Sequence, residues 1–283
     1  MNRIILGILV SIVISGCGAA NPPVTKRLTD SIYSNSEQNT ILLIDVCIKK
    51  EPAVTDDYYV VKNSQDGAKA LSISASNHLT AVGFDIKDII VPFVCGAIQN
   101  ATPARVAYTM DDDVTEIALP YVIDNNISKD TEYALALKDL VRFITQEKLL
   151  PEPIGNESKQ ISLERAKIAS SIVTSRSNNK KLVYIWVGGN SLSGGKAAAY
   201  GTAQFLTGLT TGILTGFGTN LVAVYVFPKV PSDGMNMFAG ILDLRNGEIL
   251  NMSTVFAKGD PMNPEVVARG DNVRLLLNNF KNN

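Results

Sequence analysis

From residue 41 onward the chain alternates between continuous apolar runs and segments with an amphipathic beat. The two periods predict strands and helices in turn. Ile41 to Ile48 is apolar apart from Asp45, the pattern of a strand covered on both faces. Asp66 to Val82 places Ala70, Ile73 and Ala81, and Leu71, Ala75, Leu79 and Val82, near helical spacing, with Gly83 positioned to end the helix. Phe84 to Ile98 reads as extended, and Pro92 marks an edge or a bulge there. Val106 to Ile123 predicts a short strand or strand pair, interrupted by Asp111-Asp112-Asp113. The clearest helix runs from Asp130 to Lys148. Leu135, Leu137, Leu140, Val141 and Ile144 supply its apolar face, Asp130 or Thr131 caps it, and Pro151 and Pro153 stop it. A second amphipathic helix spans Leu163 to Thr174, with Ser162 as N-cap and Arg165 and Lys167 on the wet side. Lys181 to Val187 is rich in Val, Ile and aromatic residues and reads as a strand. Met237 to Leu244 and Glu248 to Ala257 predict a hairpin about Arg245-Asn246-Gly247, because Asn and Gly both tolerate φ > 0. Pro264 to Phe280 closes the chain as one helix. This order predicts an α/β or α+β fold: a single domain with a mixed sheet, packed helices, and a C-terminal β-hairpin plus helix.

Between Val187 and Met237 the pattern changes. Gly188-Gly189 and Gly194-Gly195 bracket a short polar run that reads as a flexible loop. Ala197 to Pro228 then runs for 32 residues without one charged side chain. Within it Leu221 to Phe227 reads as a buried strand, and Gly208, Gly212 and Gly216 recur every four residues. Small residues at that spacing let two backbones approach closely. Three readings stand: a segment packed into the folded body, a segment that inserts in or lies on a membrane, and a contact between copies. Its Thr and Gly content makes it a poor spanning helix.

The amino-terminal segment supplies the compartment. A single Arg3 precedes an apolar run from Ile4 to Ile14, followed by the small pair Ser15-Gly16 and then Cys17. Ile14-Ser-Gly-Cys17 resembles the lipobox of bacterial lipoproteins. The resemblance implies cleavage before Cys17, a lipid on its thiol, and usually three acyl chains; at ~0.8 kcal/mol per buried CH₂ these make a firm anchor. The competing readings are an ordinary secretory signal or a single membrane helix, which needs ~20 apolar residues. Residues 1–16 are then the signal peptide, 17–40 the lipidated cysteine and a polar tether, and 41–283 a periplasmic α/β domain with an uncharged insertion near 188–220. Gly18 rather than Asp follows the cysteine, which by the sorting rule of enteric bacteria implies the outer membrane.

Composition narrows the chemistry. Hydrophobic residues make up 46% of the 283-residue chain, and the formal charge of −1 gives no basic excess for nucleic acid. With Cys17 assigned to lipid, Cys47 and Cys95 remain, either as one disulfide or as two buried thiols. Gly188 to Lys196 invites a phosphate-loop reading. Aligned on Gly195-Lys196, however, the first glycine position is Asn190 and the hydroxyl position is Ala197, so nucleotide binding is not expected. Asp111-Asp112-Asp113, with Glu116 nearby, lacks the order of a calcium loop and reads as a solvated turn. His78 is the only histidine, with no Gly-x-Ser-x-Gly motif to join it, and reads as a helix-packing residue. Arg269-Gly270-Asp271 matches a cell-adhesion tripeptide, but Gly270 is better read as adjusting the start of the last helix. No catalytic residue, metal ligand or cofactor is expected.

Asp243-Leu-Arg-Asn-Gly247-Glu248-Ile-Leu250, between two strands and before a helix, resembles the closing hairpin of a group of bacterial lipoproteins. The group includes the curli-secretion pore lipoprotein and the activators of penicillin-binding proteins, whose fold is like the N-terminal domain of the Tol-Pal periplasmic protein. In them too a lipobox precedes a polar tether, an opening strand and a helix. The chain departs from them in lacking an evident early Pro-Phe turn and in its insertion from Gly188 to Asn220. No functional residue transfers beyond Cys17. The resemblance implies a non-enzymatic, lipid-anchored envelope component that binds a protein partner in assembly or secretion. The alternatives are an oligomeric pore or membrane-inserting lipoprotein, with homo-oligomer contacts, and an exported hydrolase of unrecognised type.

Overall fold

The computed structural model describes residues 24–27, 39–52, 56–97, 103–124, 127, 129–149, 162–192 and 234–280. In chain order the elements are β1 (Val24–Arg27), β2 (Asn39–Glu51), β3 (Tyr58–Val60), α1 (Val61–Ala81), β4 (Asp85–Ile90), β5 (Phe93–Val94), β6 (Ala104–Ala107), β7 (Thr115–Ile117) and β8 (Tyr121–Val122). There follow α2 (Thr131–Leu149), α3 (Leu163–Ser177), β9 (Lys181–Leu192), β10 (Gly234–Asp243), β11 (Glu248–Lys258), α4 (Pro264–Val267) and α5 (Gly270–Leu277), with a final 3₁₀ turn at Asn278–Phe280.

Nine strands form one mixed sheet in the order β1-β11-β10-β9-β2-β3-β6-β7, with β4 also on β2; β5 and β8 form a small second sheet. The apolar run beginning at Ile41 is its centre. β2 is parallel to β9 from Thr40 opposite Lys181 to Glu51 opposite Leu192, and parallel to β4 at its start. β10 runs antiparallel to β9. Helices cover both faces. On one, Leu42, Ile44 and Val46 pack with Leu71 and Leu79 of α1 and with Leu276 of α5. On the other, Ile41, Leu43 and Tyr184 pack with Leu137 and Leu140 of α2 and Val173 of α3. A strand covered twice has no wet face, which is why its sequence does not alternate.

Two close approaches fix how the layers sit. A Cβ on Gly240 of β10 would stand 2.7 Å from Ile144 Cγ2, so α2 lies directly against that backbone. At the end of α1, the Phe84 N–H reaches the Leu79 carbonyl (2.9 Å) and Gly83 takes φ +99, the bonding of a glycine C-cap.

Several expectations are corrected. Leu135 is 53% exposed: it stands about 200° around the helix from Leu137, on the opposite side. The last helix is two, because Arg269 is extended (ψ 123) and Gly270, a poor helix-interior residue, starts α5. The hairpin turn has four residues, Leu244 to Gly247, and positive φ falls on Gly247 alone within it; the Gly247 N–H donates to the Asp243 carbonyl at 2.8 Å. β9 does not stop at Val187 but continues to Leu192, paired with both β10 and β2 as far as Asn190 and with β2 alone at Ser191 and Leu192. The segment expected to be an irregular tether contains β1, an edge strand on β11. Residues 1–16, Cys17 and Ala197 to Pro228 lie outside the described residues.

Candidate functional site

In open α/β sheets, ligand sites form beyond the carboxyl ends of parallel strands where connections diverge. Here that place is the shared end of β2 and β9. From β2 the chain continues to β3, and from β9 it continues to residues 193–233 and returns as β10. The side chains at this end are polar. Lys49 Nζ stands 2.9 Å from Glu51 and 3.1 Å from Asp57, bracing β2 against the approach to β3. Burial opposes the Lys49 charge, but the Glu51 and Asp57 carboxylates outweigh it and hold its ammonium above the ordinary range. Lys50 donates to Ser191 Oγ across to β9 (3.3 Å), and Arg105 of β6 pairs with Asp56 (3.1 Å). Lys49 and Arg105 are thus neutralised by carboxylates within the fold, while Lys50 is held by a hydroxyl.

Four residues deeper along β2 than Lys49 sits an unusual group. Asp45 is 0% exposed. Its Oδ2 accepts the Tyr184 hydroxyl from β9 (3.0 Å) and the Ala97 N–H (3.0 Å), while Oδ1 has no hydrogen-bond partner. Burial raises its pKa to about 6, although the amides of Gly96, Ala97 and Cys95 and the Tyr184 hydroxyl pull it back. Burial also pushes Tyr184 well above the ordinary phenol range, and the Asp45 charge adds to this.

The donors on Asp45 come from a segment that crosses the outer edge of β2. β4 occupies that edge at Asn39–Leu43 and β3 occupies it at Lys49 and Lys50. Between them the Cys95 N–H bonds the Val46 carbonyl (3.4 Å), and Cys95 is joined to Cys47 by a disulfide. Cys95 holds φ +61, a conformation uncommon outside glycine and asparagine. Asp45, the disulfide and Tyr184 thus pin one turn across the break between β4 and β3. The carboxyl is sealed from solvent, so it holds backbone rather than meeting a solute.

Gly188 and Gly189, expected in a loop, lie in β9 at this end. A Cβ on Gly188 would stand 2.4 Å from the Trp186 ring, and one on Gly189 would stand 2.4 Å from Pro261 Cβ. The pair is needed for close approach on both faces of a strand. Nothing in the local sequence distinguishes that use from a turn.

The other candidate residues lie apart from this end. His78 is in the last turn of α1, about 20 Å along the helix from Ser64, whose hydroxyl accepts the Ile48 N–H. Asp111, Asp112 and Asp113 are exposed, and Asp112 accepts the Thr109 N–H and hydroxyl within its own turn. Asp271 pairs with Arg274 at the start of α5. Among the described residues, no three His, Cys, Asp or Glu side chains are grouped to hold a metal, and no helix is long and apolar enough to cross a membrane.

No protein-family model and no curated protein matches the chain. One similar solved structure is a PelC dodecamer from Paraburkholderia phytofirmans, at 9% identity and a TM-score of 0.31, covering 90% of this chain and 95% of that one. At that score the likeness carries no argument.

Proposed function

We propose that the chain is a lipid-anchored protein of the bacterial cell envelope, on the periplasmic side of the outer membrane, whose α/β body binds a protein partner and performs no chemistry of its own. The observation that carries this reading is the lipobox Ile14-Ser-Gly-Cys17 with Gly18 after it. The state of the charged groups supports it. At the carboxyl end of the parallel strands Lys49 and Arg105 are paired with carboxylates, and the perturbed carboxyl beneath them is buried against backbone. The test has two arms. Intact-mass measurement of protein extracted from membranes gives acyl chains on Cys17, and Cys17→Ala abolishes them. Photo-crosslinking from exposed positions in cells then yields one discrete envelope adduct. An unmodified Cys17, or no adduct from any exposed position, rejects the reading.

A second reading, a pore or membrane-inserting oligomer, is favoured by where the uncharged stretch joins the body. Asn190 and Gly234 are partners in the β9–β10 ladder, so residues 193–233 leave and rejoin the sheet at one point. Carbonate-resistant membrane retention of the Cys17→Ala protein favours this reading; full release removes it.

A further inference from the structure

The register of β1 carries an orientation. Val24 pairs with Thr254 of β11, which pairs with Phe238 of β10, which pairs with Trp186 of β9, which pairs with Asp45 of β2. From Val24 to Arg27 the partners on β11 descend from Thr254 to Asn251. The chain preceding Val24 therefore enters the sheet from the Lys258 end of β11. Lys258 is the partner of Gly234, and Gly234 of Asn190, so this is also the end where β9 finishes and β10 begins.

Only residues 18–23 separate Cys17 from Val24. Seven Cα–Cα steps reach at most about 25 Å. From the level of Val24 the near end of β11, Lys258, is four residues away, roughly 14 Å. The far end, Glu248, is six residues away in the other direction, roughly 20 Å. A chain that continues in the direction of β1 carries Cys17 past the near end with length to spare. To reach the far end it would have to reverse at Val24 and use nearly its whole reach.

We infer that the end of the sheet formed by the start of β1 and β10 and the finish of β2, β9 and β11 is the face turned to the lipid bilayer. This rests on the lipid-anchored reading of Cys17. The occupant is the headgroup surface itself, held against this end by a connection shorter than the sheet is long; β9, at 12 residues, extends about 40 Å. The hairpin turn at Leu244–Gly247 and the start of β9 then point away from the membrane, toward the periplasm. The same end releases residues 193–233, so anchor and insertion leave the body on one side.

The test uses the full-length acylated protein, purified from membranes and reconstituted in phosphatidylcholine–phosphatidylglycerol vesicles carrying a headgroup nitroxide. A bimane is placed at Lys258→Cys in one sample and at Glu248→Cys in another, two exposed positions at opposite ends of β11. Asp56→Cys and Lys180→Cys form an independent pair at the same two ends, in case either first variant folds poorly. Quenching at the Lys258 and Asp56 sites at least twofold above that at Glu248 and Lys180 is the expected result. Equal or inverted quenching on protein whose mass shows acyl chains overturns the orientation and leaves the anchor standing. A mass without acyl chains overturns both.

Discussion

Asp45 interrupts an otherwise aliphatic strand, and its carboxyl gathers backbone and hydroxyl donors on one oxygen while the other has none. A buried acid held this way binds its proton more tightly folded than unfolded. The folded carboxyl keeps it to about pH 6, the unfolded one only to 3.8. Stability from this group is complete below about pH 4 and is lost as pH rises through about 6, a loss on the order of 3 kcal/mol. Asp130 and Asp243 act in the opposite sense at lower pH. Hydrogen bonds from the Tyr133 amide and Arg176 lower Asp130. Burial works against the Asp243 charge, but its bonds from Arg245 win and lower it too. The comparison is therefore of variant with parent. Urea titrations of oxidised Asp45→Asn between pH 4 and 7.5 are expected to lose the downward slope of stability across that window. A slope equal to the parent's would show that Asp45 does not titrate there. Asp45 was visible in the sequence as the one polar residue of its run. Its partner Tyr184 was not, since their meeting depends on the parallel register of strands almost 140 residues apart.

At the scale of elements, the sequence is legible where the period is local and strong. β2, α1, α2, α3 and the closing hairpin all lie where the apolar spacing puts them, within a few residues. It is illegible where tertiary contact overrides the local signal. Val-Thr-Lys-Arg reads as linker because half of it is charged, and it is a strand only because β11 has an edge to offer. Gly188-Gly189 reads as a breaker, and the packing of Trp186 and Pro261 that requires it cannot be read from neighbours in the chain. The Gly240–Ile144 approach is of the same kind and can be tested. Gly240→Val should cost roughly 1–3 kcal/mol through overpacking against α2. Ile144→Ala in the same chain should return part of that cost, read as coupling in a double-mutant cycle of thermal melts. Simple additivity would mean that α2 does not bear on that strand.

Across the whole molecule, the disulfide closes a loop of 48 residues that carries β3, α1, β4 and β5. On chain-entropy grounds its removal should lower stability by up to about 4 kcal/mol. Urea midpoints of the oxidised protein and of Cys47→Ala/Cys95→Ala measure this, and coincident midpoints would place the stabilisation elsewhere. The proposed envelope address rests on the first residues of the chain, where the Ile14-Ser-Gly-Cys17 pattern is local. That β1 begins at the end of the sheet where β9 finishes and β10 begins was not legible, because it is a property of strand order. β1 also has a mechanical meaning. On the proposed lipid anchoring of Cys17, tension applied there would enter the body along the axis of β1. A strand drawn along its own axis loads its ladder in shear, all rows together, whereas one lifted sideways opens row by row. On that proposal the four-residue pairing of β1 with β11 is the first load-bearing joint between the bilayer and the body.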